Sequence, residues 1–305
     1  MMINNIELKA PFPYFGGKSQ IADEVWRIFG HCDRYIEPFF GSGAMLWKRP
    51  DWKEGADEIV NDASCHIANV WRAIKHAPDK VADECDFPTN HAEFMARKKA
   101  IMDAEKEMAD KIIANVDYYD ARMAGFFIWC MSNSIRYNII NTSKERPHLA
   151  SKEGIVTCVA TNKAYEWMKA LSIRLAAVKV TCGDWSCPLN GKWQNSKGTC
   201  AIFLDPPYGD TRRVKDLYMK DSYDIAAKVL EWCKKRGNEK DLRIVLCGYD
   251  KEYDELLKMG WEKHSWSTGG GLANIGNAQG KENAKLERLW INPACIENQK
   301  QLSLF

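Results

Sequence analysis

Short apolar runs alternate along this chain with stretches whose apolar residues recur at helical spacing. The runs that read as strands are 34–37 (RYIE), 57–61 (DEIVN), 178–183 (VKVTCG), 200–204 (CAIFL), 242–248 (LRIVLCG), 261–267 (WEKHSWS) and 286–292 (LERLWIN). The helical stretches are 18–29, 64–75, 162–177, 222–236 and 251–258. Ser64 is placed to cap the second of these, and Gly237 to end the fourth. Regular βα alternation predicts an α/β fold on a mainly parallel sheet. Residues 77–157 interrupt it with a polar helical run (91–116), an apolar piece (GFFIWCMSN) and a segment of turn formers. The pattern therefore predicts a core over 1–76 and 158–296, a mostly helical insertion over 77–157 and a flexible tail over 297–305.

Composition narrows this picture. The chain has 305 residues, 46% of them hydrophobic and 28% charged, which excludes fibrous and wholly disordered classes. The net charge of +2 announces no polyanion-binding surface, so any such surface must come from local placement. One local excess exists: Arg136, Lys144, Arg146 and Lys152 stand against the single acid Glu145, in a segment that also carries Asn138. A solvated loop has the same charge pattern. The 11 cysteines form no C-x-x-C and no zinc-finger spacing, so a reduced chain without metal is expected. No run approaches 18 apolar residues, and the first residues lack a signal-peptide layout, so a cytoplasmic protein is expected.

Three segments carry chemistry. Asp205-Pro206-Pro207-Tyr208 follows the strand 200–204 and so stands at a carboxyl end, where open α/β sheets bind ligands. The two prolines stiffen a loop that presents a carboxylate, carbonyls and an aromatic ring. Such a set suits an exocyclic amine on a flat base. Tyr35 to Gly43 (YIEPFFGSG) leads a strand into a glycine turn, and Asp62 follows about one βαβ spacing later. An acid there serves ribose-hydroxyl recognition or caps helix 64–75. Tyr14 to Ser19 (YFGGKS) looks like the tail of a P-loop, yet Phe12 stands where a P-loop needs glycine. What remains is a glycine turn before a helix, with Lys18 able to hold a carboxylate.

Gly-Gly-Lys, Glu-Pro-Phe-x-Gly-x-Gly, Asn-Asp and Asp-Pro-Pro-Tyr, in this order, resemble the Dam-type DNA adenine methyltransferases, across roughly residues 11 to 292. The resemblance implies a Rossmann-like methyltransferase fold with an antiparallel last strand, the 77–157 insertion being its target-recognition region. It implies S-adenosyl-L-methionine as cofactor and double-stranded DNA as partner. By resemblance Tyr14, Phe15, Gly16 and Lys18 contact the cofactor, Lys18 at its carboxylate. Glu37, Pro38, Phe39, Gly41 and Gly43 cradle it, Asp62 binds the ribose, and Asp184 lies beside its adenine. Asp205, Pro206, Pro207 and Tyr208 are catalytic, Asp205 also near the cofactor.

The implied activity is methylation of the N6 amine of a flipped adenine. RNA adenine methylation, DNA cytosine-N4 methylation and a catalytically dead DNA-binding homologue are the alternatives. Cytosine-C5 chemistry needs a Pro-Cys dipeptide, and the chain has none. Arg212 and Arg213, just after the catalytic loop, are candidate phosphate grips with Arg136, Asn138, Lys144 and Arg146. The end of the chain, Gln301-Leu302-Ser303-Leu304-Phe305, resembles the pentapeptide that binds the bacterial sliding clamp. That resemblance implies a bacterial or phage origin. A frayed terminus is the other reading.

Overall fold

The computed structural model describes residues 2–3, 6–14, 18–50, 52, 56–134, 147–148, 154–159, 161–190, 198–207, 224–265 and 286–302, without the side chains of 301 and 302. Two two-residue strands, β1 (Met2–Ile3) and β2 (Ile6–Glu7), pair antiparallel at the start. Then come α1 (Ala22–Phe29), β3 (Arg34–Glu37), α2 (Ala44–Trp47), β4 (Asp57–Asp62) and α3 (Cys65–His76). Next are α4 (Pro78–Cys85), α5 (His91–Ala114), α6 (Ala121–Asn133), α7 (Lys163–Leu175) and β5 (Lys179–Cys182). The rest is β6 (Cys200–Leu204), α8 (Ile225–Arg236), β7 (Leu242–Tyr249), β8 (Glu262–Ser265), β9 (Glu287–Ile291) and α9 (Pro293–Leu302).

Seven strands hydrogen-bond in the order β5-β4-β3-β6-β7-β9-β8. β3, β6 and β7 run parallel, with Ile36 beside Ile202 and Ile202 beside Ile244. β9 enters antiparallel between β7 and β8. This is the expected mainly parallel sheet with an antiparallel last strand. β6 is buried at every position, which is why it reads as a continuous apolar run and not as an alternation.

The chain forms two compact units, with β4 shared: one unit is Met1–Gly17, Phe40–Trp47 and Val60–Trp185, the other Lys18–Phe39, Lys48–Ile59 and Ser186–Phe305. In the second unit α1 buries Val25, Trp26, Ile28 and Phe29, and Trp26 stacks tilted on Tyr35 at 4.8 Å. Arg49 pairs with Glu58 at 3.0 Å, both buried, and donates to the Cys32 carbonyl at 2.8 Å. Asn292 ties the last strand in place: it accepts from Ile244 N and donates to the carbonyls of Gly237 and Leu242.

The first unit is helical around α3, whose residues 65–74 are all buried. Ser64 caps it through Ile67 N, as expected. Arg72 ties it to the carbonyls of Val180, Ile112 and Asn115. α5 and α6 are capped by Asn90 and Asp120, and Asn69 and Asp120 exchange hydrogen bonds that dock α6 on α3. Helices α4, α5 and α6 thus share one unit with α3 and α7.

Several boundaries differ from the expectation. The helix expected from 18 begins at Ala22, because 18–21 form a turn closed by Ile21 N to Lys18 O. The helix expected over 251–258 is a tighter 3₁₀ helix, Asp254–Met259. The tail expected to be flexible from 297 continues α9 through Leu302, with Asn298 donating to the carbonyls of Ile28 and Phe29.

Candidate active site

In the second unit the sheet order reverses between β3 and β6, and Asp205-Pro206-Pro207 leaves β6 there directly. This is the position where open α/β sheets take ligands. Lys18, immediately before the turn into α1, reaches the Asp205 carboxylate at 3.0 Å, and only 5% of the lysine is exposed. Glu287, the first residue of β9, stands 4.0 Å from the same ammonium. Burial raises the Glu287 carboxyl above its ordinary range, Lys18 opposing the rise. At the end of β3 the buried Glu37 accepts a hydrogen bond from the Tyr35 hydroxyl at 2.9 Å. Burial, then the Glu37 charge, pushes the Tyr35 phenol well above its usual value, so it remains a donor.

In the first unit the chain turns at Gly41, whose φ of 49° favours glycine. A Cβ there would lie 2.6 Å from Tyr14 Cε1, so the tyrosine ring lies against the turn. Asp62 closes β4 and organises this region: its Oδ2 accepts from Gly41 N and its Oδ1 from Ser64 N, each at 2.8 Å. Trp71 donates to the Gly41 carbonyl at 2.9 Å. Beside Asp62, Asn61 donates to the Gly183 carbonyl at 3.1 Å and accepts from the Thr181 hydroxyl at 2.9 Å. That fixes the segment leading to the exposed Asp184. Burial pushes the Asp62 carboxyl up to about 6, against the lowering by the Ser64 and Gly41 N–H groups.

The model of the D12 class N6 adenine-specific DNA methyltransferases matches residues 14–262. The chain belongs to that family. It is similar to the type II methyltransferase M.MjaIII of Methanocaldococcus jannaschii, with 19% identity over 242 residues, 72% of this chain and 76% of that protein. It is therefore a DNA methyltransferase acting on the adenine N6 amine, and the mainly parallel sheet is consistent with a methyltransferase fold.

In this adenine methyltransferase the expected residues fall into two sets. One unit contains Tyr14, Gly41, Gly43, Asp62 and Asp184, and the other Lys18, Glu37, Pro38, Phe39, Asp205, Pro206 and Pro207. Phe15, Gly16, Tyr208, Arg136, Asn138, Lys144, Arg146, Arg212, Arg213, Leu304 and Phe305 lie outside the described residues, as do the side chains of Gln301 and Leu302. At Asp62 the helix cap is supplied by Ser64, and Asp62 itself braces the Gly41 turn. Glu287 was not expected; it lies beyond the matched segment, in a strand whose spacing carries no site signal.

The cysteines fit the direct chemistry. All eleven are free, and all but Cys182 and Cys187 are buried. Burial pushes the thiols of Cys130, Cys200 and Cys295 up to about 12, far from a thiolate nucleophile. Among the described residues no group of three metal-ligating side chains occurs, and no helix is long and apolar enough to cross a membrane.

Proposed function

We propose that this enzyme methylates an adenine held out of double-stranded DNA, using S-adenosyl-L-methionine bound at the residues described above. The carrying observation is Asp205 at the carboxyl end of β6, ion-paired to a buried lysine and followed by two prolines. The residues present suit the cofactor. Asp62 spends one acceptor site of each oxygen on a backbone N–H and so retains capacity for two ribose hydroxyls. An added Cβ at Gly183 meets nothing within 4 Å, so the backbone before Asp184 is open to a ligand. Tyr14, Phe15, Gly16, Glu37, Pro38, Phe39 and Gly43 complete the proposed holding set, with Lys18 toward the carboxylate.

S-adenosyl-L-methionine supplies, when bound, a sulfonium methyl already activated for transfer. The protein's task is the adenine amine, whose lone pair is delocalised into the ring. The Asp205 carboxylate and the Pro206 carbonyl accept the two amine hydrogens and so localise the lone pair on nitrogen. As the nitrogen–carbon bond forms the amine gives up one proton, and the Asp205 carboxylate stands as its acceptor. Tyr208 stacks on the extruded base. Arg136, Asn138, Lys144, Arg146, Arg212 and Arg213 hold the duplex, the basic ones at phosphates, within a recognition region over 77–157. Gln301, Leu302, Leu304 and Phe305 dock on a bacterial sliding clamp.

Replacing Asp205 tests the reading. Asp205→Ala abolishes methyl transfer to unmethylated duplex DNA while S-adenosyl-L-methionine binding partly persists. An active Asp205→Ala enzyme, or equal methylation of RNA, refutes it.

A further inference from the structure

Lys18 pairs with Asp205, and it does not serve Asp205 alone. Its ammonium, 3.0 Å from Asp205, also has the Glu287 carboxylate at 4.0 Å, and neither carboxylate's side chain is more than 19% exposed. An ammonium this close to one carboxylate withdraws charge from it and weakens it as an acceptor. A second carboxylate on the same ammonium shares that positive charge. The fold explains how it gets there. β9 is antiparallel, so its first residue, opposite Tyr249, arrives at the sheet edge where β6 and β7 end. A parallel strand would bring its last residue there instead.

We propose that Glu287 is a positioning residue for methyl transfer: it shares the charge of Lys18 and so keeps Asp205 a strong acceptor for the adenine amine. The inference rests on the catalytic reading of Asp205 given above. The direction of the Glu287 shift agrees with a buried carboxylate that feels both groups, raised by burial and by Asp205 and lowered by Lys18. Cys247 feels Asp205, Lys18, Glu287 and Glu37, and burial keeps its thiol neutral.

The test is single-turnover methylation of long unmethylated duplex DNA at saturating S-adenosyl-L-methionine, measured across pH. Glu287→Gln keeps the shape and removes the charge, so Asp205 takes a larger share of Lys18. The rate at saturating cofactor is expected to fall about tenfold, and the acid limb to move down by about half a unit to one unit. A merely structural role lowers the rate without moving the limb. Glu287→Asp retains the charge, set back by one methylene, and is expected to fall between the two; if the Gln variant does not fold, it carries the test. An unmoved acid limb in the folded variants overturns the proposal, whatever the rate. Asp205→Asn, run in parallel, separates the two failures. If it is active, the catalytic reading is wrong; if it is dead while Glu287→Gln behaves as wild type, only the role of Glu287 is.

Discussion

Asp62 offers the sharpest single perturbation, because its charge is costly to the fold and is assigned to the cofactor ribose in the proposed function. Consider Asp62→Asn. The carboxyl titrates at about 6, raised from 3.8 mainly by burial. A raised folded value means the folded chain takes up a proton as pH falls through 6 toward 3.8. The contribution of this group to stability is therefore best below about pH 4 and is lost as pH rises to 6. At pH 8 the ionised form costs at most ~3 kcal/mol, an upper bound because the side chain is partly exposed. Asparagine removes that cost but keeps one acceptor oxygen. One of the two N–H groups, of Gly41 or Ser64, then faces an amide nitrogen, costing about 1–3 kcal/mol.

The two effects offset, so Tm at pH 8 is expected to stay within a few degrees of wild type. Cofactor affinity does not benefit from any such compensation. Two hydroxyls that bonded a carboxylate lose about 3 kcal/mol between them, or about 100-fold in Kd. Titration calorimetry with S-adenosyl-L-methionine, paired with thermal melts, measures both quantities. The wild-type Kd is also expected to rise below pH 6, by up to about tenfold per unit, and the Asn variant to stay flat. A variant that binds within threefold of wild type at pH 8 refutes the ribose role of Asp62, as does a wild-type Kd constant from pH 8 to 5.

Gly41→Ala forces a side chain onto a φ of 49° and a contact 2.6 Å from Tyr14; denaturant unfolding is expected to show a loss of about 1–3 kcal/mol, with weakened cofactor binding. Glu58→Gln leaves the buried Arg49 charge without its carboxylate; a loss of about 3–5 kcal/mol is expected in the same assay, and Arg49→Met combined with it should recover part. Deleting residues 301–305 is expected to leave methylation of short duplexes intact and to remove binding to a bacterial sliding clamp in surface plasmon resonance; unchanged clamp binding refutes the tail assignment.

The strands were legible from the sequence because the sheet is buried. CAIFL reads as a strand at any offset, and its structural bounds coincide with the pattern, 200–204. Helices with one wet face were legible for the same reason. What escaped was short or decided by neighbours. α2 has four residues, too few for a periodicity, and its tryptophan is set by ring contacts with Trp71 and Phe40. α9 looks polar because it docks through only two buried apolar residues, Cys295 and Ile296, and through Asn298 on backbone carbonyls, too little to read as a hydrophobic stripe.

The site divides along a related line. Gly41, Asp62 and Asp205 stand out in the sequence because each sits beside a turn or strand end in one stretch. Such local syntax marks a backbone that must bend near a ligand. Lys18 was legible as a cation after two glycines, but not its choice of partner, since Asp205 lies far along the chain. Glu287 was not legible at all. It opens β9 beside Arg288, ahead of the apolar run Leu289 to Ile291, and only the reversal of strand direction turns it toward the ammonium. Local pattern marks where a chain meets a ligand. The charge balance around Asp205 is set by sheet topology, which places residues from remote strands at one edge, and no spacing in the sequence encodes it.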